Sequence, residues 1–286
     1  MNSTAISNLK RKPIIKIVKV LLIIFLIIYL FLCFFIHFFL ESVILWPKEQ
    51  QVDVAGLSFQ ENKLEDLELT MSDGNISRGW FLKNSNSEKS NLLIYFGGNA
   101  EELSGVLTKM AKLDNWSVGL INYRGYGTSE GTADETALYS DSLEIYDYLA
   151  GREDVDKQNI VVMGRSIGTG VATYLAEKRD VSAVILSTPY DTMASVIQKK
   201  CPIIPAGLIF PHKYDSIGRA PKIKSPLLIL AASEEILIPN WHSKRLKEAW
   251  AGSVSYQVLA GEDHNSIDDT EEYWKRIREF LSGIEH

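Results

Sequence analysis

Two cysteines, Cys33 and Cys201, are all that the 286 residues carry. They are too few for a disulfide framework and lack the paired spacing of zinc ligands, so no structural metal is expected. Gly164, Gly168 and Gly170 fail the G-x-G-x-x-G pattern and no Walker A sequence occurs, so no dinucleotide or nucleotide cofactor is expected either. Acid is missing from residues 1–19, which hold Lys10, Arg11, Lys12, Lys16 and Lys19, and residues 20–40 carry no charge at all. Taking those five from the chain's 30 basic residues leaves 25 against 36 acidic ones, a body of about −11 that does not suit nucleic acid or another polyanion. Beyond Glu41 there is no second linker, repeat or low-complexity stretch, and the balance of 46% hydrophobic to 23% charged residues is that of an ordinary globular protein.

The uncharged stretch Val20 to Leu40 reads VLLIIFLIIYLFLCFFIHFFL. At 1.5 Å per residue it is about 31 Å long, which matches the hydrocarbon core of a bilayer. A cleaved signal peptide has a shorter apolar region and a small-residue cleavage site, whereas this run ends in Glu41-Ser42-Val43-Ile44-Leu45-Trp46. The expectation is a single-pass anchor, with residues 1–19 retained in the cytoplasm by their basic excess. Residues 41–286 then lie on the non-cytoplasmic side, which is the periplasm in a bacterium.

The body alternates short apolar runs with longer helical patterns. Leu67, Leu69 and Met71 read as a half-buried strand, with 76–82 as its hairpin partner across Ser72-Asp73-Gly74-Asn75. Runs at 91–96, 117–121, 160–163, 183–186 and 227–230 are continuously apolar, as strands covered on both faces are. Helices are expected near 101–113, 134–150, 167–178, 241–250 and 270–281. This alternation implies an α/β protein with a mostly parallel, doubly wound sheet entered through an antiparallel hairpin.

Gly164-Arg165-Ser166-Ile167-Gly168 directly follows the run at 160–163 and opens a helical pattern. A serine on so tight a strand-to-helix turn presents Oγ at the edge of the sheet, which makes Ser166 a candidate nucleophile. A serine hydroxyl is weakly nucleophilic at neutral pH and needs a histidine base. Of the five histidines, His37 lies in the apolar span, His286 ends the chain, His212 has no companion motif and His242 starts a helix. His264, in Gly261-Glu262-Asp263-His264-Asn265 between the run 254–259 and the last helix, is the candidate base.

These residues resemble the α/β-hydrolase-fold serine hydrolases, and most nearly their single-pass membrane-anchored branch related to acyl-protein thioesterases. The resemblance covers about residues 45–284 and rests on Phe96–Ala100, Asn122–Gly131, the Ser166 turn, Tyr214–Ile217, Ser233–Pro239 and Gly261–Asn265. It implies an oxyanion hole formed by the backbone N–H groups of Ile167 and Asn99. Gly97 stands where relatives commonly have histidine, a departure that leaves a backbone donor intact. The family's acid stands four residues before a proline, and here that position is Glu235 before Pro239; Glu234 and Asp191 are its rivals. Arg124, in the glycine-rich loop, is read as a brace rather than a substrate contact. Residues 191–224 would form a short lid insertion, with the uncharged stretch 201–211 stiffened by three prolines.

The resemblance implies a membrane-anchored serine hydrolase that cleaves a carboxylic ester or thioester, lipid-like or otherwise neutral, through an acyl-enzyme. A serine peptidase of the same fold and a catalytically silent binding module are the alternatives. An activated serine, detected by a fluorophosphonate, separates the last from the other two.

Overall fold

The computed structural model describes residues 3–47, 54, 64–83, 88–113, 115–210 and 214–284. Helix α1 (Ser3–Ile44) runs past both ends of the apolar stretch 20–40, because helical hydrogen bonding is indifferent to the change from apolar to basic residues. Within it, Ile15–Phe38 is long and apolar enough to cross a membrane.

The hairpin strands β1 (Leu64–Thr70) and β2 (Ile76–Leu82) follow, and their turn places Gly74 at φ +87°. Then come β3 (Ser90–Phe96), the single turn α2 (Leu107–Met110), β4 (Trp116–Ile121), α3 (Glu135–Ala150) and β5 (Val155–Arg165). The chain continues through α4 (Gly168–Lys178), β6 (Ala183–Ser187), three short helices α5 (Met193–Lys200), α6 (Ala206–Ile209) and α7 (Ser216–Arg219), and β7 (Leu227–Ala232). It closes with α8 (Trp241–Ala249), β8 (Val254–Leu259) and α9 (Glu271–Ser282). One expected helix differs: 101–113 is a 3-10 turn over Leu103–Val106 leading into α2. Glu102 caps that turn through Ser104 N–H, and Gly105 inside it disfavours a longer helix.

The sheet has the order β1-β2-β4-β3-β5-β6-β7-β8, with β1, β2 and β4 paired antiparallel and every later pair parallel. This is an α/β-hydrolase fold. The period of two divides each central strand between two cores. Leu92, Ile94 and Phe96 of β3 pack with Val171 and Leu175 of α4 and with Ile145 and Leu149 of α3, while Leu93 and Tyr95 join Leu107, Trp274 and Ile277 on the other face. Each fully buried side chain of this size contributes about 1.5–3 kcal/mol, so both faces hold the sheet rigid beneath its carboxyl edge. At that edge, loops after β3, β5, β7 and β8 converge, as the architecture requires of a ligand site.

Candidate active site

Ser166 sits between β5 and α4 at φ +51°, a left-handed conformation that costs a residue with a Cβ about 1 kcal/mol or more. The turn closes because its glycines leave room. A Cβ on Gly164 would stand 2.3 Å from the carbonyl oxygen of Gly168, and one on Gly168 would stand 2.1 Å from that of Phe96. The Ser166 N–H is tied to the Ser187 carbonyl at 3.0 Å, which anchors the turn to β6.

His264, on the loop after β8, places Nε2 3.0 Å from Ser166 Oγ. Its Nδ1 is 2.8 Å from Glu235 Oε2. A carboxylate can only accept, so Nδ1 carries the proton, and Nε2 is left as the acceptor for the serine hydroxyl. The Glu235 side chain is fully buried behind the imidazole. Its other oxygen accepts from the N–H groups of Leu237 at 2.8 Å and Ile238 at 2.9 Å. These two bonds turn the longer glutamate side chain back toward the histidine and offset the loss of water around its charge.

The rivals are placed elsewhere. Glu234 is exposed, and its N–H pairs with the Glu262 carbonyl at 2.9 Å. Asp191 is wholly buried after β6 and accepts from His242 Nδ1 at 2.6 Å, Thr192 N–H at 2.6 Å, Ser195 and Arg245. Burial opposes its charge, yet the hydrogen bonds from His242, Ser195 and Thr192 hold the carboxyl below the usual aspartate pKa. His242 is therefore a packed partner of Asp191 on α8, stacked against Trp241 at 3.5 Å between ring centres. Among the described residues its Nε2 has no partner. His212 and His286 lie outside the described residues.

Among the described residues, the N–H groups of Asn99 and of Ile167, which follows the serine directly, have no hydrogen-bond acceptor. The loop bearing Asn99 lies close to Ser166, since a Cβ on Gly98 would be 3.6 Å from that of the serine. The Asn99 side chain is occupied elsewhere: its Oδ1 accepts from Trp46 N–H at 2.7 Å and Tyr126 Oη at 3.1 Å.

Residues 92–205 match the family model for the alpha/beta hydrolase fold. An uncharacterised protein of Mycobacterium tuberculosis is 30% identical over 221 residues, 76% of this chain and 79% of that protein. The alpha/beta hydrolase domain-containing protein WAV2 of Arabidopsis thaliana is 28% identical over 242 residues, 76% and 78% of the two chains. The chain belongs to the α/β-hydrolase-fold family. Among solved structures, an acetyl xylan esterase from Paenibacillus superposes with a TM-score of 0.62 at 17% identity, covering 78% of this chain and 86% of that one.

In this α/β-hydrolase fold the loops of the site are braced by side chains that the motif alone did not single out. Arg165, beside the serine, donates to the His264 carbonyl at 3.1 Å and lies 3.6 Å from Glu101 and 3.7 Å from Asp268. Burial alone would favour loss of its proton, but Glu101, Tyr95 and Asp268 hold its pKa above the ordinary arginine value. Glu101 in turn accepts from Gly98 N–H and from Tyr95 Oη, so one arginine couples the histidine loop to the Asn99 loop. Tyr123 Oη donates to the Gly97 carbonyl at 3.0 Å and Tyr190 Oη to the Ile167 carbonyl at 3.1 Å. The signal in the sequence was a charged residue ending an apolar strand. Arg124 is bidentate to Asp141, at 2.6 Å for each bond, and also reaches Asp73, so it braces the glycine-rich loop against α3 and the hairpin turn.

Proposed function

We propose that this protein is a membrane-anchored serine hydrolase that cleaves a carboxylic ester or thioester through an acyl-enzyme on Ser166. The observation that carries the reading is the continuous relay Ser166–His264–Glu235, with contacts of 3.0 and 2.8 Å. Ser166 Oγ attacks the acyl carbonyl carbon while His264 Nε2 takes its proton, and Glu235 stabilises the imidazolium that results. The N–H groups of Ile167 and Asn99 receive the developing oxyanion, a contribution of several kcal/mol where such donors are preorganised. The C–O or C–S bond then breaks, and His264 returns the proton to the leaving alkoxide or thiolate. Water repeats the sequence against the acyl-serine and frees the acid. Ester chemistry is also what the Paenibacillus protein is named for, an acetyl xylan esterase. In this reading the insertion at 191–224, of which 211–213 lie outside the described residues, would cover the site as a lid.

Anchoring is supported by the span Ile15–Phe38, which has a mean hydropathy of 3.1 and is only 6% buried in protein. The basic flank before it retains the N-terminus inside, so residues 41–286 lie outside the cytoplasm. Alkaline phosphatase fused after residue 60 is expected to be active, and activity of a cytoplasm-only reporter at that junction would reverse the topology. The test of the chemistry is labelling by a fluorophosphonate followed by a panel of acyl-chain lengths. Ser166→Ala and His264→Ala should each abolish labelling and nearly all turnover, because members of such a relay act as one unit. Wild-type turnover by Ser166→Ala, with contaminating esterases excluded, would sink the mechanism.

A further inference from the structure

Residues 20–40 hold only three side chains that are neither aliphatic nor phenylalanine: Tyr29, Cys33 and His37. Their spacing of four sets them on one face of α1, over about 12 Å of helix. That face meets the insertion between β6 and β7. Tyr29 Oη donates to the Ile203 carbonyl at 2.8 Å and His37 Nδ1 to the Ile209 carbonyl at 2.6 Å, while Cys33 between them is only 8% exposed. Polar groups on a spanning helix normally face protein rather than lipid, and here they take up main-chain acceptors of a neighbouring segment.

Much of the insertion's main chain is satisfied within the segment. From Cys201 to Pro211 it carries no charge. Pro202 and Pro205 have no N–H to satisfy, and Ile204, Ala206, Leu208, Ile209 and Phe210 bond theirs to carbonyls inside the segment. Gln198 stitches the turn by donating to the Pro202 carbonyl at 2.9 Å and accepting from Ala206 N–H at 3.1 Å. Ala206 is buried and Phe210 packs in the core of the body, whereas Ile203 and Leu208 project outward at 74% and 86% exposure. In water those two side chains would be a cost; in hydrocarbon they are not.

Depth follows from the helix. His37 is one residue inside Phe38, the end of the span, and Tyr29 is nine residues inside it, about 13 Å below the same boundary. We propose that residues 201–210 and the Tyr29–Cys33–His37 face form one wedge seated in the hydrocarbon of the outer leaflet, with Ile203 deepest. The candidate site then opens on lipid, and its acyl substrate arrives from the bilayer. The inference rests on the reading of α1 as a membrane anchor, and it names the medium that covers the apolar insertion.

The test uses the full chain in nanodiscs, with Cys33 and Cys201 replaced and an environment-sensitive fluorophore on single cysteines. Ile203→Cys and Leu208→Cys report the wedge, Phe25→Cys reports the anchor and Val258→Cys, exposed on β8, reports water. Brominated lipids should reduce the signal at 203 and 208 about twofold or more, with bromine deep in the chain most effective at 203, and leave 258 unchanged. Quenching at 25 without quenching at 203 and 208 overturns the wedge while the anchor stands; no quenching at 25 overturns both. Adding Tyr29→Phe and His37→Phe, which keep the helix apolar, should lessen quenching at 203, and undiminished quenching would overturn the clamp. Ile203→Glu with Leu208→Glu should raise KM for a long-chain thioester held in vesicles about tenfold or more, since charge is costly in hydrocarbon. An unchanged KM rules out delivery from the lipid side. The quenching arms need no turnover, so they remain decisive if Ser166 proves inert.

Discussion

Glu235 has one oxygen on His264 and the other on two backbone N–H groups, so removing its charge changes the tautomer preference of the imidazole and the stabilisation of the imidazolium while an amide oxygen can keep the backbone contacts. Glu235→Gln is expected to lower kcat roughly 10²- to 10⁴-fold with the fold intact by circular dichroism. Asp191→Asn should keep kcat within about threefold but lower stability by about 1–3 kcal/mol, because it weakens a buried network with His242 and Arg245. The reverse pair of results would move the acid to the earlier strand. Ser166 and His264 were legible from local pattern and chain position. Glu235 was legible only through resemblance, because Glu234 and Asp191 competed with it and which carboxylate turns inward is decided by backbone hydrogen bonds made after the chain has folded. Arg165 was seen only as a variable position in its motif, since its partners Glu101 and Asp268 are distant in sequence.

At the level of elements, the contact between the start of α4 and the end of β3 is the tightest constraint on the site. Gly168→Ala would force a Cβ to within 2.1 Å of the Phe96 carbonyl and 2.6 Å of that of Gly97, both backbone atoms that cannot swing aside. The Asn99 loop must then shift, and with it one proposed oxyanion donor. The expected result is a loss of about 10²–10³ in kcat together with a lower Tm, measured on esters of a single chain length. Wild-type kcat in a destabilised variant would separate the loop from the chemistry. The strands were readable because burial on both faces makes them continuous apolar runs, and the helices because 3.6-residue periodicity survives in α3, α4, α8 and α9. The stretch after β3 was misread as one helix, since Gly105 and the Glu102 cap favour a tighter turn whose stability comes from packing of Leu103 and Leu107 rather than from propensity. The role of α1's polar stripe was not readable at all, because nothing in 20–40 names the segment it meets.

For the molecule as a whole, acid should loosen the fold from identifiable points. Asp154, just before β5, is held at a pKa of about 2 chiefly by the Arg152 hydrogen bond, with burial opposing and Lys83 assisting. Its folded pKa lies below the unfolded value of about 3.9, so the unfolded chain binds the extra proton first. The stabilisation is complete above pH ~4 and disappears as pH falls through about 2. Asp154→Asn should therefore cost roughly 1 kcal/mol at pH 7 in urea unfolding of the full chain in detergent, and the two curves should meet near pH 2. Curves that stay parallel to pH 2 would remove Asp154 from the acid response.

The junction between α1 and the body has a kinetic meaning. Two residues after Ile44, the Trp46 N–H is already bonded at 2.7 Å to Asn99, and Leu45 between them is buried in the core. If α1 is the proposed anchor, a tether with that little slack holds the candidate site at one fixed height on the bilayer. Encounters are then confined to two dimensions, and turnover of a bilayer-borne ester should follow its surface density, falling when inert lipid dilutes it at constant total amount. Ten flexible residues inserted between Ile44 and Leu45, ahead of that clamp, would restore a volume to search, and dependence on bulk concentration would return with it.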